Sequence, residues 1–396
     1  MTDKPQFVGE KVASITIGEL GKTQSGGTPS SKHPEYFDGE IPWIGTTALK
    51  GGFLDKTDAI KLITEEAVAK SATKIVPARS VMVGIRVGVG KVGINSVPMC
   101  TSQDVVSIVG IDERFWDKEY IALALKHKAP MLVAQAQGAT ITGITSKTLK
   151  AITIPIRSKD EQSRIVCQLN EIGRQLTNAE RQIAKLDQLT KSRFVEMFGD
   201  PVRGKSKFSK SKLGELAAIS SGATPKRDHP EYYGGNIPWV KTTEVARGNV
   251  TAAEEYITQA GLANSSCRLV PAGSVLVAMY GQGETRGKAA MLEIEAATNQ
   301  ACAAIECDPA KLDASYALHH LHLCYEDLRS KSKGGNQKNL SLAVLKQYGL
   351  ICPPLSFQQE FADFAAQVDK SRFIAQQQIE KLQMLYDSLA QEYFGE

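Results

Sequence analysis

A chain of 396 residues, 42% hydrophobic and 23% charged, has the composition of soluble globular protein and enough length for two or more domains. No apolar run approaches the roughly 20 residues needed to cross a bilayer. The N-terminal MTDKPQFVGEK also lacks a signal peptide's apolar core, so a cytoplasmic protein with no membrane partner is expected. The net charge of +4 is spread without a basic tail: residues 1–198 hold 26 Lys+Arg against 21 Asp+Glu. Contact with a polyanion must therefore come from local patches, such as RGKSKFSKSK at 203–212. Seven cysteines without a CxxC pair point to reduced thiols rather than a disulfide framework.

In chain order the first recognisable stretches are IGELGKTQSGGTP (17–29), HPEYFDGEIPWIGTT (33–47), IVPARSVMVGI (75–85) and CTSQDVVSI (100–108). Each returns later, as LGELAAISSGATP (213–225), HPEYYGGNIPWVKTT (229–243), LVPAGSVLVAM (269–279) and ATNQACAAI (297–305). An offset held within 194–198 means two tandem copies of one unit of about 200 residues. Short β-branched runs such as VMVGI, DVVSIVGI and AITIPI, punctuated by Gly, Pro, Asn and Ser, predict strands. DKEYIALALKHKAPML predicts a helix. The expected fold class is α+β, with mixed α/β domains over 1–155 and 201–353.

After each domain the composition changes. Lys159 to Phe198 contains no proline and one glycine, and Ile165, Leu169, Ile172, Leu176, Ala179, Ile183 and Leu186 follow a 4-3 spacing. That spacing puts them along one seam of a long helix. Phe361, Ala365, Val368, Ala375, Ile379, Leu382 and Leu389 repeat the register, interrupted by Arg372. A lone helix cannot hide such a stripe, so the segments 156–200 and 354–396 are expected to pair. Each spans about 57–60 Å at 1.5 Å per residue, longer than a domain of this size is wide. Because the second domain starts where the first helix ends, the pairing should be antiparallel. The expected result is a coiled-coil spacer with a pseudo-twofold-related domain at each end.

The repeated IPW motif supports two readings. Trp43 and Trp239 fill the core and the Ser-Gly-x-Thr-Pro turns shape a loop. Alternatively, the polar residues beyond the tryptophan, Thr46, Thr47, Lys241, Thr242 and Thr243, form a recognition surface. The glycine-rich stretches GIRVGVGKVG (84–93) and YGQGETRGKAAM (280–291) carry basic residues on hairpin-like loops, Arg86 and Lys91 in one, Arg286 and Lys288 in the other. Glycine permits close backbone approach, and arginine reads guanine edges or pairs with phosphate. Tyr280 and Gln282 lie in the second loop. Ser102, Gln103 and Asn299 lie in the TSQ/TNQ repeat. Thr140 and the run Asn336, Gln337, Lys338 lie in the polar loops that end each domain. Every one of these is equally at home on a solvated loop.

Several nucleotide and metal motifs fail. The formal GxGxxG of Gly88, Gly90 and Gly93 is followed by strand and turn formers where a dinucleotide site needs a helix. Gly21-Lys22-Thr23 lacks the first glycine of a phosphate loop, since Thr16 stands in its place. His319, His320, His322 and Cys324 are read as half-buried side chains of a helix rather than metal ligands. ICPPLSF (351–357) has the double proline of a methyltransferase motif without the Asn or Asp before it. An enzyme is not expected.

SGGTPSSKHPEYFDGEIPW, SGATPKRDHPEYYGGNIPWVKTTEV, MYGQGETRGKAAM, ATNQAC and PPLSFQQEFADF together resemble the recurrent segments of type I restriction-modification specificity subunits. The resemblance runs end to end. It implies two target-recognition domains, each reading half of a bipartite double-stranded DNA target, with the helices fixing the gap and docking two modification subunits, plus restriction subunits. It implies no cofactor in this chain; S-adenosylmethionine would belong to the modification subunits, and ATP and Mg to the restriction subunits. The first copy departs from the pattern, since IPWIGTTALKGG lacks the lysine of IPWVKTTEV and GIRVGVGKVG is shorter than its counterpart. The alternative is a coiled-coil scaffold whose duplicated heads bind a non-DNA partner.

Overall fold

The computed structural model describes residues 13–136, 143–204, 206–281, 283–332 and 339–395. The chain divides into two compact units, Met1–Ala179 with Gln378–Glu396, and Glu180–Gln377. Each holds one globular domain and part of both long helices.

In the first unit a five-stranded sheet runs in the order Lys22–Ser25, Val105–Val109, Val81–Gly84, Val92–Asn95, Phe53–Leu54. A second sheet orders Lys61–Ile63, Ile41–Ile44, Met99–Thr101 and Ile75–Val76, and Ser14–Thr16 pairs with Thr153–Pro155. Val81, Met82 and Val83 are fully buried, so this strand is apolar throughout rather than alternating.

The second unit repeats the plan with fewer strands. Ala217–Ser221, Cys302–Cys307, Val275–Ala278 and Ala289–Met291 form one sheet. Glu255–Ile257, Tyr233–Val240 and Ala297–Thr298 form the other. Two edge strands of the first unit shrink here to single bridges, Val250 with Leu292 and Val270 with Ala296.

The expected helix in DKEYIALALKHKAPML is found as Lys118–His127 and Ala129–Ala134, broken at Lys128 just as its counterpart is broken at Cys324 between Ala314–Leu323 and Tyr325–Ser330. Asp117 caps the first through a bond from the Glu119 amide at 2.8 Å. Its counterpart Asp313 caps Ala314–Leu323 through the Tyr316 amide at 2.9 Å.

The long helices are Lys159–Phe198 and Leu355–Phe394. Within the second unit Arg193 pairs with Glu360 at 2.9 Å and Asp187 with Arg372 at 3.3 Å, which fixes an antiparallel direction. Within the first, Tyr393 donates to Gln168 at 2.8 Å, so the last turns of one helix meet the first turns of the other.

The seam is less uniform than the spacing suggests. Ile165, Leu169, Ile172, Ala179, Phe361, Ala365, Val368 and Ala375 are buried. Leu176, Ile183, Leu186, Ile379, Leu382 and Leu389 are only half-buried. Parts of each helix also pack into a domain core, and the small central residues Ala179 and Ala375 are covered as well, whereas the larger leucines and isoleucines nearby are not. Phe194 thus stacks on Tyr316 at 5.5 Å, and Phe394 meets Tyr120 at 5.3 Å. Among the described residues no helix is long and apolar enough to cross a membrane.

One buried side chain in each unit ties long helix to domain. Gln162 accepts from the Asp117 amide at 2.7 Å and donates to the Phe115 and Arg157 carbonyls, both at 2.9 Å. Gln358 accepts from the Asp313 amide at 2.9 Å and donates to the Lys311 and Pro353 carbonyls at 3.0 and 2.9 Å.

Candidate nucleic-acid interface

The repeated IPW motif is an anchor for the Ser-Gly-x-Thr-Pro turn. The Trp43 indole donates to the Gly27 carbonyl and the Trp239 indole to the Ala223 carbonyl, each at 3.0 Å. Trp239 is buried, but Trp43 is half-buried, so only the second copy fills its core with this ring as expected. The turn lies against the TSQ/TNQ strand end. A Cβ on Gly26 would collide with the carbonyls of Thr101 and Ser102, and one on Gly222 with that of Thr298. Glycine is required there by close approach.

Three loops follow strand ends and meet beside that anchor. Ile41–Ile44 runs parallel to Met99–Thr101, so the turns that follow both strands emerge on one side. The Ser102 amide donates to Ile44 at 2.8 Å, and the Asn299 amide to Val240 at 2.9 Å. The Ile85 amide donates to Asp104 and the Met279 amide to Ala301, both at 2.8 Å, which brings the glycine hairpin alongside.

The predicted residues distribute unevenly over this cluster. Thr47, Gln103, Arg86 and Lys91 are exposed; Thr46 and Ser102 are buried and serve the turns. Thr242 and Thr243 open a short helix, Thr242–Val245, with Thr243 exposed. Asn299 turns its carboxamide oxygen back to the Ala301 amide at 3.1 Å. Lys241 is not a free cation: its ammonium lies 3.3 Å from Glu255, which also binds Arg227. The Arg227 guanidinium, then Lys241, holds the Glu255 carboxyl below the usual range. Thr140, Gln282, Asn336, Gln337 and Lys338 lie outside the described residues.

Both glycine stretches are hairpins. Gly88 and Gly90 adopt φ of 94° and 80°, and the strand Val92–Asn95 follows them where a dinucleotide site needs a helix. Hydrogen bonds give the register between copies. Gly84 N to Lys91 O (2.8 Å) matches Ala278 N to Lys288 O (2.9 Å), and Gly90 N to Gly84 O (2.9 Å) matches Gly287 N to Ala278 O (2.8 Å). Lys91 therefore corresponds to Lys288. Arg86, though, corresponds to Tyr280, and half-buried Arg286 stands level with Val89. The second loop is longer, as its sequence shows, so the two arginines of similar composition fall in different register.

In the second unit a cleft of about 620 Å³ joins Lys288 to Arg247, Asn249, His319, Asp369 and Arg372. His319 lies 3.7 Å from Asp369. Of these, Lys288 is singled out from sequence as a DNA contact, His319 is expected as a half-buried helix side chain, and Arg372 stands out only as an interruption of the apolar seam. His320 is fully buried, more than the half-burial expected, and its Nε2 accepts from the Ile351 amide at 3.0 Å.

Two stretches of the chain, residues 9–188 and 205–384, match the family model of the type I restriction modification DNA specificity domain. The chain belongs to this family. It is 22% identical over 397 residues to the type I restriction enzyme MjaIX specificity subunit of Methanocaldococcus jannaschii, covering 96% of this chain and 92% of that one. It is 32% identical over 156 residues to the EcoR124I/EcoR124II specificity subunit of Escherichia coli, 38% of each chain. The fold is shared with the crystal structure of the type I restriction-modification S subunit from M. genitalium, with a TM-score of 0.61, 15% identity and 98% of both chains covered. The two family matches coincide with the two copies of the anchored loop cluster.

Proposed function

We propose that this chain is the non-catalytic, DNA-reading subunit of a type I restriction-modification complex, each specificity domain reading one half of a bipartite duplex target. The observation that carries the reading is the loop cluster built twice with the same hydrogen bonds and different exposed side chains. Shared backbone bonds present a surface in the same way, while differing side chains address different sequences. Phosphate contacts position a protein on DNA and base contacts specify, so the matched lysines Lys91 and Lys288 and their variable neighbours suit both tasks.

The long helices set the number of unread base pairs and dock two modification subunits, which supply S-adenosylmethionine; restriction subunits supply ATP and Mg chemistry. Exposed Phe373 and Ile374 in the second unit, and Met384 and Leu385 in the first, offer apolar contact for such docking. The complex works in the cytoplasm, where its DNA substrate lies.

The test is an exchange of residues 13–155 for the corresponding domain of another family member, with methylated sites mapped on genomic DNA by the assembled complex. One half of the target should change and the other persist. A change in both halves, or in neither, overturns the reading, and a scaffold with non-DNA heads would select no sequence from random duplexes.

A further inference from the structure

The two glycine hairpins are closed by the same bonds but differ in what they hold out. Beyond the closing pairs described above, the Lys91 amide donates to Gly88 at 3.1 Å and the Lys288 amide to Thr285 at 3.2 Å. The Ile144 and Leu340 amides donate to the Ile85 and Met279 carbonyls at 2.8 and 3.0 Å. Ile85 and Met279 are buried anchors, 7% and 3% exposed. The next residue is in each case the first to leave the core: Arg86, exposed, and Tyr280, 41% exposed. The residue just before it is thus held through both its amide and its carbonyl in both copies. A Cβ on Gly143 would collide with the Arg86 Cγ, so the base of that side chain lies against the Gly143 backbone. At the far end of the hairpin the copies agree, with lysine at 91 and 288.

We propose that residue 86, and residue 280 in the second copy, is the base-reading position of this hairpin, while Lys91 and Lys288 make the sequence-neutral phosphate contact. Two domains that read different half-sequences must differ where they read and can agree where they hold the backbone. The hairpin divides in that way. Arginine presents a planar fork that pairs bidentately with guanine. Tyrosine has one hydroxyl and a ring face, so it cannot make that pair. Arg86 therefore reads a guanine in the half-target of the first domain, and the second domain reads a different base through Tyr280. This rests on the DNA-reading function proposed above.

The experiment uses the complex assembled with its modification subunits and duplexes carrying every single substitution in the target. Arg86→Ala and Arg86→Lys should both relax one guanine position of one half-target, losing about 5- to 150-fold in discrimination there, since lysine keeps the charge and lacks the fork. Tyr280→Ala should relax one position of the other half only. Lys91→Ala and Lys288→Ala should weaken all duplexes alike and lower the salt slope by about one. Uniform weakening by Arg86→Ala, retained selectivity in either Arg86 variant, relaxation in the wrong half, or unchanged binding overturns the assignment. Failure of the underlying function is distinguishable, because the unaltered complex would then select no sequence at all.

Discussion

The two copies solve one backbone problem in opposite ways. In the second unit the Ile351 amide points into the core and His320 accepts its hydrogen at 3.0 Å. The equivalent residues of the first unit are Pro155, which has no amide hydrogen, and Ala124, which has no acceptor. Both copies keep the neighbouring bond, Tyr120 hydroxyl to Pro155 carbonyl and Tyr316 hydroxyl to Ile351 carbonyl, each at 2.9 Å. A buried donor must be matched or removed, and duplication lets each copy choose separately. The same divergence appears at the surface. Trp43 stands opposite Lys61 and Trp239 opposite Glu255, so the sheet beside the proposed interface carries opposite charges in the two copies.

The largest effect should come from the feature the copies share. Gln162→Leu and Gln358→Leu each leave one amide and two carbonyls unmatched under a long helix. Each should cost about 3–5 kcal/mol in urea unfolding. A loss below about 1 kcal/mol in both would mean these glutamines do not tie helix to domain.

Next is the pair that differs. His320→Ala should cost about 2–4 kcal/mol, by cavity and by the orphaned Ile351 amide. Adding Ile351→Pro, which imports the first copy's solution, should recover about 1 kcal/mol. A double-mutant cycle with no coupling would break the comparison.

The same histidine makes the second unit acid-sensitive. Burial, aided by the Lys210 ammonium, holds the His320 pKa down at about 3. The unfolded chain takes up a proton near pH 6.5 and the folded unit does not. Stability is therefore complete above that pH and falls as pH drops, by up to about 1.4 kcal/mol per unit for His320, until pH approaches 3. Hydrogen exchange at pH 7.5 and 5.0 should show greater loss of protection in 314–323 than in 118–127. Equal losses would refute it.

The smallest effect concerns charge. Glu255→Lys gives the second copy the sign of the first and releases Lys241 and Arg227. Stability should change by less than about 1 kcal/mol. The salt dependence of binding to random duplex should steepen by about one to two units in a salt titration, as freed cations reach phosphate. An unchanged slope would place these residues away from the DNA.

How much of this was legible depends on the kind of signal. The tandem plan, the long helices and their antiparallel pairing follow from local pattern: recurring motifs at a near-constant offset, an apolar spacing of 4-3, and a chain that must return to where it left. Even the longer second hairpin is implied, because the offset rises from 194 before it to 197 after it. Composition on those loops was misleading, however, since Arg86 and Arg286 look alike and stand at different places. Only the bonds from Gly84 and Ala278 across to Lys91 and Lys288 set the register. Tertiary structure likewise decided that Lys241 is held by Glu255, that Thr46 and Ser102 are buried, and that Gln162 and Gln358 lock each helix to its domain. These outcomes depend on partners distant in the sequence. Periodicity reports which face of an element is apolar; it cannot report which polar group meets another after the chain has closed on itself.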